Sequence, residues 1–222
     1  WAGLACDMGV LIERGASDWL AACSLGNFVE KAKRSILRYP KVLHEGVTMA
    51  PSVSSLKNLD LLLLAQRLGR QCLQLGMEVT TAESCTGGGI ASAITSVAGS
   101  SAYFTAGYVT YSNAAKTRLL GVEQATLDAH GAVSEPVVKR MVAGACRESG
   151  ADMAVAVSGV AGPDGGSDDK PVGTVWIAWG GAEQQEAECF HFPGDRQAVR
   201  EQAVREALAG LVARLSAQAQ KK

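Results

Sequence analysis

Histidine is scarce in this sequence, and metal-type spacings are missing. The three histidines, His44, His130 and His191, lie far apart. The six cysteines, at positions 6, 23, 72, 85, 146 and 189, form no C-x-x-C pair and none stands near a histidine at zinc-finger spacing. That dispersion argues against a metal site, because such sites draw on closely spaced ligands. Scattered cysteines without a secretory signal read as reduced thiols, so a cytoplasmic setting is expected. An excess of one charge is also lacking. The 21 Lys and Arg against 22 Asp and Glu leave a formal net charge of -1, which gives no electrostatic reason to expect nucleic acid or an anionic membrane as partner. No apolar run approaches the roughly 20 residues of a bilayer span. Two nucleotide motifs fail as well. No lysine follows the glycines at 87–89 as a P-loop requires, and Ser92 stands where the dinucleotide fingerprint needs a third glycine.

What is present supports a core: 47% of the residues are hydrophobic. Residues 1–48 differ from the rest. They hold a short basic patch, Lys31 to Arg34, on an amphipathic helix expected over 16–37, and they lack the ordered regions of a signal peptide. They are expected to be an extension outside the functional fold, with an alternative start at Met49 and the functional domain over 49–222. From Leu59 the pattern sharpens. Leu61, Leu64, Ala65, Leu68, Cys72 and Leu75 recur at helical spacing, and Gly76 can end that helix. MEVTTA, GYVTY, DMAVAVSG, TVWIAWG and EAECFHF read as strands, the last two joined near Gly180-Gly181. Helices are expected after the glycines at 87–89, through NAAKTRLLG, from a Ser134 cap to Gly150, and from about Asp195 to Ser216. This alternation predicts an α/β fold with helices on both faces of a mixed, mostly parallel sheet.

The stretch TTAESCTGGG, residues 80–89, carries the strongest chemical signal. Ser84 falls where a strand gives way to a glycine-entered helix, the end of the sheet where α/β folds place ligands. Backbone N–H groups around residues 85–87, those of Thr86 and Gly87 in particular, can hold an oxyanion there. A plain strand–helix turn with a serine cap is the competing reading. A serine nucleophile needs a base. His130 reads as an interface or core-edge residue. In YVTYSNAAK, Tyr111 ends a strand, Asn113 can cap the next helix, and Lys116 lies in its first turn. A lysine beside a tyrosine hydroxyl in a partly dry cleft has a lowered pKa and can accept a proton; an exposed helix lysine is the commoner alternative. The glycine-rich loop over 158–174 brings Ser158 and Gly159 to the rim that holds Ser84 if the strands are parallel. Arg196 sits at a helix start, where a cation is unfavourable unless it meets a carboxylate or phosphate.

TAESCTGG, YVTYSNAAK, HGAVSEPVV, SGVAGPDGGSDDKPVGTVW and FPGDRQAVR occur in this order over about residues 59–216. In them the chain closely resembles the CinA C-terminal family. The resemblance implies a three-layer α/β/α fold and hydrolysis of the carboxamide of nicotinamide mononucleotide in pyridine nucleotide recycling, without metal or cofactor. It carries the family's catalytic serine, tyrosine and lysine onto Ser84, Tyr111 and Lys116. The arginine of its GDR motif falls on Arg196, and the serine of its AGSS segment on Ser101. The mechanism then expected has neutral Lys116 take the Ser84 proton, directly or relayed through Tyr111, with amides near Thr86 and Gly87 holding the oxyanion and Arg196 binding the 5′-phosphate or completing the site. Ser101, Asn113, Ser158 and Gly159 complete the expected substrate side. Two other classes remain open: a nucleotide-binding module without turnover, and an interaction subunit linked to competence or DNA damage. A homo-oligomer is expected, with Trp176 and Trp179 as exposed interface aromatics.

Overall fold

The alternating pattern becomes a five-stranded sheet with helices on both faces. The computed structural model describes residue 56 and residues 59–220; the extension, with the helix expected over 16–37 and the basic patch, lies outside the described residues. In chain order the elements are α1 (Leu61–Leu75), β1 (Val79–Glu83), α2 (Gly89–Thr95), a short 3-10 turn (Ser100–Ala102), β2 (Phe104–Val109), α3 (Asn113–Leu120), α4 (Gln124–His130), α5 (Glu135–Ser149), β3 (Met153–Gly159), β4 (Thr174–Gly180), β5 (Gln185–His191) and α6 (Arg196–Ala219). The strand order is β2-β1-β3-β4-β5. β1 pairs in parallel with β2 and β3, while β4 is antiparallel to both β3 and β5. Four strands therefore point one way and β4 alone runs back, so the sheet is mixed and mostly parallel.

The two faces are packed by different side chains of the same strands, as the period of two demands. Val155 and Val157 of β3 join Leu64, Leu68 and Cys72 of α1, Ile90 of α2 and Leu208 and Leu211 of α6 in one cluster. Ala154 and Ala156 of β3, with Ala82 and Ala178, meet Leu120, Leu127, Val137, Met141 and Val142 on the other. Small residues on that second face let its helices come close. A β-carbon on Gly144 of α5 would lie 2.0 Å from the Leu120 carbonyl oxygen, so glycine is what permits α3 and α5 to touch there. Gly76 and Gly150 end α1 and α5 in left-handed conformations, as the sequence suggests.

Several expectations need correction. Trp179 is no interface aromatic: it is 1% exposed, its Nε1–H donates to the Ala207 carbonyl at 2.8 Å, and the Arg214 guanidinium lies 4.2 Å from its ring centre. The face of β4 that carries it is the one α6 covers. Trp176 is partly buried against the opposite cluster. β2 begins at Phe104 and ends at Val109, so Tyr111 lies beyond the strand. Ser134 stands at the start of α5, but its hydroxyl donates to the Gly131 carbonyl at 2.8 Å and does not cap the helix. His130 is exposed. α4 had no sequence counterpart, having seven residues and only Leu127 buried. Among the described residues, no helix is long and apolar enough to cross a membrane, and no three His, Cys, Asp or Glu side chains gather as a metal-binding set.

Candidate active site

The parallel register sets Glu83 beside Val109 of β2 and Val157 of β3. The ladder continues one residue past the strand ends. The Ser84 N–H donates to the Val157 carbonyl at 3.0 Å, and the Thr110 N–H donates to the Glu83 carbonyl at 2.8 Å. Ser84 is thereby fixed at the end of β1, with Thr110 on its β2 side and β3 on the other. α3 then starts at once. Its cap is Ser112, whose hydroxyl accepts from the Ala115 N–H at 3.1 Å; Asn113, expected in that role, is the first helical residue and is exposed. One turn on, Lys116 turns back under the sheet edge.

Lys116 is 1% exposed. Its Nζ donates to the Thr110 carbonyl at 2.8 Å and lies 3.1 Å from Ser84 Oγ. Burial pulls its pKa below the ordinary 10.5, because a charged amine is poorly solvated there. In its neutral form the amine can give one N–H to Thr110 and keep its lone pair for the serine hydroxyl. The neighbouring thiol is not a competing nucleophile: burial pushes Cys85 up to about 11, and the thiolate is the reactive form. The hydroxyls of Thr86 and Thr110 are buried without a hydrogen-bond partner from the protein, which leaves polar valence beside the pair.

The turn after Ser84 is bound internally. The Gly87 N–H donates to the Ser84 carbonyl at 3.1 Å, with Gly87 in the left-handed region at φ 61°. Gly89 N–H goes to the Thr86 carbonyl at 3.2 Å. Glu83, fully buried, accepts from the N–H groups of Gly88 and Ile90 at 3.0 Å and of Ala91 at 2.8 Å. The positive end of α2 is thus consumed by protein acceptors. Among the described residues, the amides of Cys85 and Thr86 are the ones in this turn that donate to no backbone or carboxylate oxygen. Gly87, expected to be a donor with Thr86, gives its N–H to the turn.

α6 sends two arginines to the same rim, one turn apart. Arg196 donates to the Tyr111 hydroxyl and to the Gly162 carbonyl, both at 2.8 Å. It joins the β2–α3 turn to the glycine-rich loop. Tyr111, 59% exposed, makes its hydrogen bond to Arg196, not to Lys116 or Ser84. Arg200 donates to the Thr86 carbonyl at 2.9 Å. Ser158 is buried and continues β3 beside Ser84. Gly159 admits no side chain, since a β-carbon would lie 2.8 Å from the Thr174 carbonyl oxygen. Ser101 is the exception. It precedes β2, at the opposite end of the sheet from Ser84, roughly 17 Å away by strand rise.

Glu83, Thr110, Ser112 and Arg200 escaped sequence reasoning. An acidic residue just ahead of a glycine-entered helix was the available sign for Glu83, and spacing of four from Arg196 was the sign for Arg200. The assembled groups, a partly exposed hydroxyl, a buried amine in contact with it and two unpaired amides behind it, are the parts of a nucleophilic acyl-transfer site.

The chain is similar to known proteins over most of the described residues. A family model of the CinA C-terminal domain matches residues 62–215. A nicotinamide-nucleotide amidohydrolase PncC of Pseudomonas putida is 62% identical over 149 residues, 67% of this chain and 93% of the relative. The protein of the same name from Escherichia coli K12 is 54% identical over 152 residues, covering 67% of this chain and 91% of its own length. The crystal structure of a competence-damaged protein (CinA) superfamily protein from Klebsiella pneumoniae superposes with a TM-score of 0.69 at 44% identity, covering 72% of this chain and 99% of that one. The match to the family model, together with these identities over nearly the whole of the relatives, places the chain in the CinA C-terminal domain family.

Proposed function

We propose that this chain is a nicotinamide-nucleotide amidohydrolase that converts nicotinamide mononucleotide to nicotinate mononucleotide and ammonia, with Ser84 as nucleophile and Lys116 as base. The observation that carries the chemistry is the 3.1 Å contact between the buried Lys116 amine and Ser84 Oγ. The substrate rests on the relatives that bear the amidohydrolase name.

In this mechanism neutral Lys116 takes the Ser84 proton as Oγ attacks the carboxamide carbon. Direct contact makes a tyrosine relay unnecessary. The oxyanion is received by the Cys85 and Thr86 amides, a stabilisation of about 3 kcal/mol per donor in other hydrolases. The ammonium of Lys116 returns its proton to the departing nitrogen, and ammonia leaves. Water, deprotonated by the regenerated amine, then releases the acid from Ser84. Tyr111 and Arg196 stand at the mouth, where they bind the nucleotide. Two of the guanidinium N–H groups of Arg196 are spent on Tyr111 and Gly162, and the others remain for a 5′-phosphate. Ser158 lines the floor, and Asn113 borders the entrance. Ser101 has no part in this mechanism within one chain. Residues 49–222 carry the activity in this reading, in the cytoplasm. Exposed Val109 and Leu119 offer apolar surface for a homo-oligomer.

The test is ammonia release from nicotinamide mononucleotide, nicotinamide riboside, nicotinamide and NAD. Turnover of the mononucleotide is expected, and none from any of the four refutes the reading. Arg196→Gln is expected to raise KM for the mononucleotide by about 30-fold, the equivalent of roughly 2 kcal/mol for a hydrogen bond to a charged group, and to raise KM for the riboside, which has no phosphate, much less.

A further inference from the structure

We infer that Glu83 is a positioning residue for the reaction at Ser84, holding the turn that presents the Cys85 and Thr86 amides. The inference rests on the amidase reading of the site.

A glutamate with no exposed surface, the last residue of a strand otherwise made of valine, threonine and alanine, needs a reason. Its partners supply one. Oε2 takes the N–H groups of Gly88 and Ile90, and Oε1 takes that of Ala91. These are the cap residue and the second and third positions of α2. One carboxylate therefore ties the residue before the nucleophile to the first turn of the helix after it. The segment from Ser84 to Gly87 is strung between the two ends of that clamp. Arg200 holds the same segment from outside through the Thr86 carbonyl.

Two consequences follow for the chemistry. Without Glu83, three amides of α2 would compete with those of Cys85 and Thr86 for the substrate oxygen or for water. With it, unpaired donors are confined to the two residues after the nucleophile, so the oxyanion has one defined place. The clamp also sets the angle at which Ser84 leaves the sheet, and so its Oγ relative to Lys116. Misplacement by about 1 Å can cost a catalytic step roughly 100-fold.

Glu83→Gln is the decisive variant. It keeps the size and one acceptor oxygen, but its NH2 group must face an amide N–H, donor against donor. Assayed at a temperature where circular dichroism shows both proteins folded, the variant is expected to lose about 100-fold in kcat with KM for nicotinamide mononucleotide unchanged. Faster amide exchange at Gly88, Ile90 and Ala91 should accompany the loss. A fluorophosphonate, which forms a phosphorus–oxygen bond with Ser84 and expels fluoride, needs no nucleotide recognition. Its labelling of Ser84 should slow to a similar degree. Equal labelling rates for wild type and Glu83→Gln would overturn the positioning role. So would a loss of turnover that merely follows the fraction unfolded. Absence of ammonia release by the wild type, with labelling still slowed in the variant, would refute the amidase reading alone. Should Glu83→Gln fail to fold, Glu83→Asp, too short to span the three amides, is judged by the same measurements.

Discussion

Ser84→Ala is expected to release no measurable ammonia from nicotinamide mononucleotide, a loss on the order of 10⁶-fold by analogy with other serine hydrolases. Nothing nearby can take over. Cys85 is buried with its thiol pushed up to about 11, and Lys116 would have to attack from a position with almost no exposed surface. The fold should barely register the change. Ser84 is only partly buried, and its hydroxyl contact with Lys116 is worth about 1 kcal/mol, a shift of roughly 2–4 °C in melting temperature for a domain of this size. Ammonia release and calorimetry on the same sample check both halves. Substantial activity in the variant would exclude a serine mechanism.

Lys116→Met is the second large effect. Methionine fills much of the same space but has no lone pair basic enough to take a proton. Turnover is expected to fall by about 10²–10⁴-fold, the usual contribution of a general base, with binding of the nucleotide little changed. Stability responds in a pH-dependent way. The folded-state pKa of Lys116 is below the ordinary 10.5 because of burial. Between those two pH values the unfolded chain holds more protons than the folded one, so stability rises with pH. The buried charge is a penalty at low pH and is relieved as pH climbs through the folded pKa toward 10.5. Urea denaturation should therefore show wild type gaining on Lys116→Met as pH is raised through that window. A constant difference would mean that Lys116 titrates alike in both states.

Much of this was legible in the sequence because local chemistry and global topology agree. The Ser84 turn announces itself by a short β-branched strand running into a serine and consecutive glycines, and Lys116 by its place one turn into the helix after the next strand. Parallel strands bring both to one end of the sheet, and Ser158 with them. Other features were hidden for identifiable reasons. Glu83 looks like a surface charge until three amides are seen around it. Gly87 looked like an oxyanion donor, but its N–H closes the turn on the Ser84 carbonyl. Whether Lys116 meets Ser84 directly or only through Tyr111 depends on where α3 begins; starting at Asn113, it aims Lys116 at Thr110 and Ser84. Ser101 belongs to the same set of motifs in linear order. The segment that contains it leads into the start of β2, and a strand's length then separates it from Ser84. Trp179 could not be assigned a face without knowing that α6 lies over β4.

The pH dependence of kcat/KM tests most directly whether a neutral buried amine is the base. A rising limb with a midpoint below 10.5, the ordinary value for lysine, is expected, together with loss of that limb in Lys116→Met. A limb that rises only at the ordinary value, or one that survives unchanged in the variant, would contradict that role.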